Sequence, residues 1–172
     1  MAEDRTVLSL QLSCPLYEGD CQRAMGLVDK MNGGEDNQFA YALALVPVGC
    51  YSILLARLQG EQENSSFAET REQLNQKVQK SPENVYLLSN LAVVDSLLGH
   101  KKAAIWEARR AVEMLPISKD AVDGPGIAAN LAIVYAGTNE LDLAFKTLSP
   151  LTKVPWGIFY GQLKRDPLWD PN

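Results

Sequence analysis

The chain has 172 residues, of which 47% are apolar and 22% are charged, and its net charge is −5 at pH 7. This length corresponds to about one domain, and the composition is that of an ordinary globular protein. The negative charge and the scattered Lys and Arg residues argue against nucleic acid as a partner, because phosphate binding needs a basic surface. We therefore expect one domain, 1–172, that does not bind nucleic acid.

The first third of the chain predicts helices that are interrupted by turns. Residues 6–17 form a modest apolar segment, and a turn then leads into a helix over 21–31. After a Gly-rich turn, residues 39–59 form the most apolar helix of the protein. Pro47 either begins this helix at a first-turn position or kinks it, because proline lacks the backbone N–H.

The uncharged stretch 39–56 reaches the length at which an apolar segment can span a membrane. Pro47, Gly49 and Ser52 interrupt it, and polar or charged segments follow it, so a buried core helix is favoured over a membrane span. The chain begins MAEDR, without the positive start of a signal peptide. We expect no membrane partner.

The three cysteines, Cys14, Cys21 and Cys50, match neither a zinc pattern nor a thioredoxin pattern. Unpaired thiols are typical of reducing compartments, so this usage predicts a cytoplasmic protein. The chain has one histidine, which leaves a zinc or iron site almost without ligands. We expect no metal and no cofactor.

The middle of the chain predicts a polar turn at 61–66 and a helix over 67–80. Four residues of that helix are predicted to face inward: Phe67, Thr70, Leu74 and Val78.

Residues 84–116 predict a helical hairpin, in which two apolar helical periods flank Gly99. Gly99 can leave the first helix in a left-handed conformation, and Pro116 ends the second. Small residues at the predicted helix contact let the two helices approach closely and interlock their ridges. These residues are Ala92, Ala104, Ala108 and Ala111.

The first helix of this hairpin is repeated downstream. The sequence NLAVV at 90–94 returns as NLAIV at 130–134, and Ala104 returns as Ala144, so two separated blocks keep one offset of forty residues. A hairpin cannot bury its outer apolar face alone, which is why repeated hairpins stack on one another.

These residues resemble the tetratricopeptide repeat, a helix–turn–helix unit of about 34 residues. The first copy matches the signature of that repeat at Leu91, Ala92, Gly99, Ala104, Ala108, Ala111 and Pro116. The second copy matches it at Leu131, Ala132, Tyr135, Ala144 and Pro155. The offset of forty implies about six extra residues, which we place at 117–124.

The resemblance implies an all-α fold, a right-handed α-solenoid of about 3.5–4 helix hairpins of tetratricopeptide type with an aromatic C-terminal cap. The repeat-like units cover about 6–31, 39–80, 84–116 and 124–154, and the capping tail covers 155–172.

The tail 154–172 contains Pro155, Pro167 and Pro171, which exclude a long regular helix. Its many apolar residues would form a patch prone to association or aggregation if they were exposed. They are Trp156, Ile158, Phe159, Tyr160, Leu163, Leu168 and Trp169. We expect the tail to fold back over the open face of the last hairpin, because terminal repeats need caps.

The ending QLKRDPLWDP at 162–171 resembles the end of bacterial proteins in which repeat arrays are joined to a kinase, a nucleotide cyclase or a winged-helix domain. None of those effector domains fits into this chain. The resemblance implies a binding module of the array type.

No residue has the sequence context of a catalytic group, and we expect no enzyme. A general base at His100 would need an orienting carboxylate and a pocket, so we expect a solvent-facing turn histidine. We expect the neighbouring cations to form a solvated helix face: Lys101, Lys102, Arg109 and Arg110. Four aspartates are expected to cap helices or satisfy turns: Asp120, Asp123, Asp166 and Asp170.

In this repeat family the first helices line a concave groove that contacts peptides or partner helices. The resemblance assigns nine residues to that groove: Leu54, Arg57, Tyr86, Ser89, Val93, Ser96, Ala129, Ile133 and Ala136. Asn90 and Asn130 match an Asn position at which some members grip a C-terminal carboxylate, but the basic partners of such a clamp are missing.

The expected function is a non-catalytic protein–protein interaction module that binds a peptide or partner protein in the groove by apolar burial. One alternative is a structural module that forms a homodimer through 39–58 or the tail. Another is the scaffold part of a larger regulatory protein. A third alternative is that the tail itself fills the groove.

Overall fold

The computed structural model describes residues 63–165, and the regular structure in this part of the chain is helical. The helices are α1 Glu63–Lys80, α2 Val85–Leu97, α3 Lys101–Met114, α4 Gly124–Gly137, α5 Leu141–Leu151 and α6 Tyr160–Arg165. The predicted all-α class is confirmed for the described residues, within which no strand occurs. The predicted segments 6–31 and 39–59, the three cysteines and the end of the tail lie outside them.

Helix α1 begins at Glu63, so the predicted turn at 61–66 is wrong from that residue onward. Residues 63–80 contain neither Gly nor Pro, and nothing in the sequence breaks the helix before Lys80. Leu74 faces inward as predicted and packs with Leu91 and Val94 of α2.

Helix α2 is the centre of the described part because it packs against α1, α3 and α4. The side chain of Asn84 caps its N-terminus. Its Oδ1 accepts hydrogen bonds from the backbone N–H groups of Tyr86 at 3.1 Å and Leu87 at 3.2 Å. Val85 and all residues from Leu88 to Ser96 are buried. A helix that is buried all round carries no clear apolar face, which explains why its burial is hard to read from periodicity.

The close helix contact within the α2–α3 hairpin is confirmed. Four alanines lie at this contact, and none is more than 1% exposed: Ala92, Ala104, Ala108 and Ala111. Ala92, Ala104 and Ala108 share one core cluster with Leu131 and Val134 of α4. Small side chains therefore let three helices meet at one place.

The turns of the two hairpins have the same backbone. Gly99 has a φ of +76°, as the sequence predicts, and Asn139, forty residues later, has a φ of +61°. The N–H of His100 donates to the Asp95 carbonyl at 2.8 Å, and that of Glu140 donates to the Tyr135 carbonyl at 2.7 Å. The forty-residue repeat of the sequence is thus also a repeat of hydrogen bonds.

The extra residues before α4 form a folded turn. The Asp120 carboxylate accepts the N–H groups of Val122 at 2.8 Å and Asp123 at 2.9 Å, which confirms its predicted turn role. Gly124 begins α4, and a Cβ there would lie 2.8 Å from the Cα of Ile117. Only glycine fits at this approach of two backbones.

The described part of the tail covers the last hairpin with its aliphatic residues. Ile158 is 8% exposed and packs with Ala128, Ala129 and Leu151, and Leu163 lies against the same cluster. The aromatic residues of this segment do not share that burial: Trp156, Phe159 and Tyr160 are 67%, 52% and 76% exposed. The expectation of an aromatic cap is wrong for these three residues, because Ile158 and Leu163 occupy the contact with the hairpin instead.

Candidate functional site

Most of the predicted groove residues lie in the interior. Five are at most 5% exposed: Ser89, Val93, Ser96, Ala129 and Ile133. Tyr86 and Ala136 are half-buried, and Leu54 and Arg57 lie outside the described residues. Val93 and Ile133 belong to the same core cluster, in which Ala136 also packs. The structure therefore brings these residues together as core rather than as an open surface.

Contacts between α2 and α4 occupy this position. The Nδ2 of Asn130 donates to the Oγ of Ser89 at 2.9 Å. The Ser96 hydroxyl donates to the Val93 carbonyl at 2.7 Å, and a Cβ at Gly137 would lie only 3.4 Å from the Ser96 Oγ. A partner reaches these side chains only if the two helices separate.

Tyr86 joins the start of α2 to the start of α4. Its hydroxyl donates to the Asp123 carboxylate. That hydrogen bond, together with burial, raises the pKa of Tyr86 to about 12. The hydroxyl is thus already used within the protein.

The two asparagines of the carboxylate-clamp pattern are also buried. Asn90 is 3% exposed and Asn130 is 8% exposed. Within the described part of the chain, the Asn90 Nδ2 and the Asn130 Oδ1 have no hydrogen-bond partner. Neither side chain is open to a peptide carboxylate at the surface.

A buried polar cluster joins α1, α2 and α3. The carboxylate of Asp95 is fully buried and accepts hydrogen bonds from the Arg71 guanidinium, one of them from Nη2 at 3.3 Å. The Nδ1 of His100 lies 2.7 Å from the Asp95 Oδ1. His100 therefore has an orienting carboxylate, although half of its side chain is exposed. The expected exposure of this turn histidine is confirmed, but the carboxylate partner was not expected.

Glu107 completes this cluster. It is 8% exposed, and its pKa is raised to about 8, first by burial and then by the charge of Asp95 and a hydrogen bond with it. The Arg71 charge opposes this shift. The Oε2 of Glu107 has no hydrogen-bond partner among the described residues. Two acidic groups thus share one buried site with one arginine.

The cluster acts as a cross-link between helices. Asp95 holds α1 through Arg71, and it holds the α2–α3 turn through His100. Among residues 63–165 no group of three His, Cys, Asp or Glu side chains is arranged to hold a metal ion. Sequence reasoning missed the cluster, although Asp95 follows Leu88, Leu91 and Ala92 at helical spacing. A carboxylate on an apolar face is the signal that could have found it.

An accessible candidate site in the described part of the chain is a groove of about 600 Å³ along α3. Its described lining consists of Lys101, Lys102, Ile105, Trp106, Arg109, Arg110 and Glu113. Trp106 is 65% exposed at the centre of this stretch. We call this surface the α3 groove. The sequence predicted its cations as a solvated helix face and gave Trp106 no role.

Three of the four cations have partners within the protein. Lys101 pairs with Glu140 at 2.7 Å, and Arg109 donates to the Tyr135 hydroxyl at 2.8 Å. Arg110 is 3.5 Å from Glu113. Within residues 63–165, Lys102 has no ion-pair partner. The face keeps a net positive charge on a chain whose total charge is −5.

Comparison of the chain with protein-family models, curated proteins and solved structures found no significant match. The likeness to the tetratricopeptide repeat therefore rests on the residues of this sequence. Within residues 63–165, no helix has the length and apolar character that crossing a membrane requires.

Proposed function

We propose that the chain is a non-catalytic protein-interaction module that holds a segment of a partner protein in the α3 groove. The observation that carries this proposal is the placing of Trp106 among four cations on one exposed helix face. Trp and Arg are the residues most enriched at binding hot spots, because they combine apolar area with directed hydrogen bonds.

The repeat architecture supports this class of function. We propose that the two hairpins belong to a right-handed solenoid of tetratricopeptide type. The support is the forty-residue repeat, which includes the turn hydrogen bonds and two buried alanines, since Ala92 and Ala104 recur as Ala132 and Ala144. Helical arrays of this kind offer extended rigid surfaces. Because such a surface is already ordered, little binding free energy is spent on ordering it when a partner binds.

The burial of the predicted groove residues moves the proposed surface to α3. Val93 and Ile133 are at most 2% exposed, whereas Trp106 is 65% exposed. A docked segment gains apolar contact only where side chains are still open to water. The α3 groove meets this condition, and the contact of α2 with α4 does not.

The charge of the groove favours an acidic segment with an apolar side chain. Carboxylates of the partner would meet Lys102 and Arg110, and the apolar side chain would lie against Trp106. We propose a cytoplasmic location on the cysteine content alone.

The test uses fluorescently labelled synthetic peptides that carry several Glu residues and one Leu or Phe. We expect wild-type protein to bind them, with an affinity that falls as salt rises. The double variant Lys102→Glu/Arg110→Glu and the single variant Trp106→Ala should each lose most of this binding. Lys153→Glu, a charge reversal at an exposed site after α5, serves as the matched control and should bind as wild type does.

Two results would overturn the proposal. One is equal binding of the acidic peptides to wild type and to the double reversal. The other is equal binding of an uncharged peptide of the same length, because the basic face would then have no part in recognition.

A further inference from the structure

A second exposed surface lies on α5, at the end of the described array. Leu141 is 52% exposed and Phe145 is 71% exposed, and they lie one helical turn apart. Asp142 and Lys146 follow them along one flank of the helix, and both are exposed. We call these four residues the α5 stripe.

The internal repeat shows what kind of contact this surface is built for. Leu141 and Phe145 lie forty residues after Lys101 and Ile105 of α3. In the first hairpin those positions meet the following hairpin: Lys101 donates to the Thr138 carbonyl at 2.9 Å, and Ile105 packs on the cluster that contains Val134 and Tyr135. The equivalent positions of α5 are therefore helix-packing positions that are left open.

The side chains at these positions indicate an apolar neighbour. Lys101 reaches Glu140, but Leu141 has no charge to offer an acidic group. Exposing Leu and Phe together at a helix-packing position is costly in water, and covering them is favourable.

The flanking charges indicate that the apolar neighbour is a second copy of the same chain. If two α5 helices pack antiparallel about a twofold axis, residues on one flank face the same flank of the other copy in reverse order. Asp142 of each copy then lies opposite Lys146 of its partner. The stripe is thus self-complementary in charge as well as apolar at its centre.

We propose that the α5 stripe is a homodimer surface, formed by antiparallel packing of α5 against α5 of a second copy. This inference is independent of the proposed function of the α3 groove. The area is small, so the dimer forms at high protein concentration and dissociates on dilution. Two chains of charge −5 repel each other, and moderate salt screens this long-range repulsion more than it screens the charge pairs in contact. We therefore expect moderate salt to favour the dimer.

The test is the molar mass of the full chain, measured by sedimentation equilibrium over about two decades of protein concentration. We expect the mass to rise towards that of a dimer. Phe145→Ala should weaken the association by about tenfold or more. Trp106→Ala removes an equally exposed aromatic residue from α3 and should leave the association unchanged, which separates this surface from the α3 groove.

Charge reversal provides the sharper test. Asp142→Lys places like charges opposite each other in its own homodimer, and so does Lys146→Asp, so each variant should be monomeric where wild type dimerises. An equimolar mixture of the two variants restores both unlike pairs and should recover the dimer. Far-UV circular dichroism confirms that each variant is folded.

A monomeric wild type over the whole range would overturn the proposal. So would a dimer that survives Phe145→Ala, and so would a mixture that stays as monomeric as its two components. Loss of the dimer in Trp106→Ala alone would assign self-association to the α3 groove instead.

Discussion

The α2–α3 and α4–α5 hairpins share the backbone of their turns but differ at one polar position, which bonds to an arginine of the helix before the hairpin. This position is Asp95 in the first hairpin and Tyr135 in the second, forty residues later. Arg71 of α1 reaches Asp95, and Arg109 of α3 reaches the Tyr135 hydroxyl. The guanidinium of Arg109 also lies 5.6 Å from the centre of the Tyr135 ring. One arginine joins each hairpin to its predecessor, through an ion pair in one case and a neutral acceptor in the other.

This difference shows how a repeat can vary its chemistry without changing its fold. The turn hydrogen bonds are kept, and the buried Ala92 and Ala104 recur as the buried Ala132 and Ala144, so the turn and the closest helix contact are alike in the two hairpins. The acceptor is buried in both hairpins, but Asp95 is charged and Tyr135 is neutral. Breaking the ion pair should therefore cost more than breaking the neutral hydrogen bond, because a charged group is left without its partner.

Removing the acceptor should have the largest effect in the first hairpin. We expect Asp95→Ala to lower the free energy of unfolding by about 2–4 kcal/mol, because Arg71 and His100 lose their shared acceptor. Tyr135→Phe should cost about 1 kcal/mol, because the exposed Arg109 can be solvated by water. Urea denaturation measures both values. Equal losses would remove the distinction between the two hairpins.

The entry to the second hairpin should be the next most sensitive point. Gly124 occupies the place of Asn84, and a Cβ there meets the backbone of Ile117. We expect Gly124→Ala to cost about 1–3 kcal/mol through overpacking. Gly126→Ala is the matched control, because a Cβ at Gly126 meets nothing within 4 Å. In thermal unfolding, Gly126→Ala should have a melting temperature equal to or above that of wild type, since alanine is the better helix former.

The buried carboxyl of Glu107 should make the first hairpin sensitive to pH. Its pKa is raised to about 8, from a usual 4.5. The folded state therefore holds the proton on Glu107 more tightly than the unfolded state does. This contribution to stability is fully present below about pH 4.5 and is lost as the pH rises towards 8. The slope is at most about 1.4 kcal/mol per pH unit.

Urea denaturation between these pH values measures the slope, and Glu107→Gln should reduce it. Glu113→Gln changes an exposed residue of the same helix and should leave the slope unchanged. If Glu107→Gln kept the full slope, the titration would belong to another group.

The smallest effects should come from the two left-handed turn residues. We expect Gly99→Ala to cost about 1 kcal/mol, because only its positive φ disfavours a side chain there. Asn139→Gly should change stability by a few tenths of a kcal/mol, because asparagine already tolerates this conformation. Differential scanning calorimetry should detect the loss of stability in Gly99→Ala and set an upper limit on the change in Asn139→Gly.

Much of the hairpin framework could be predicted from the sequence. The helix periods, the Gly99 turn, the close contact at Ala92 and Ala104, and the turn role of Asp120 depend on residues near one another in the chain. The candidate site could not be predicted in the same way. Val93 and Ile133 are apolar in either a groove or a core, and only the packing of α2 on α4 distinguishes the two.

The sequence by itself determined that this part of the chain folds as helical hairpins with a forty-residue repeat, because local propensity, turn residues and small side chains act over short distances. The tertiary structure alone decided which faces are covered. It placed Asp95 beside Arg71 and Glu107, turned Trp106 and Phe145 to solvent, and covered Ala129 with Ile158. The physical reason is that burial and charge pairing depend on which helix arrives as a neighbour, and the pattern of one helix does not contain that information.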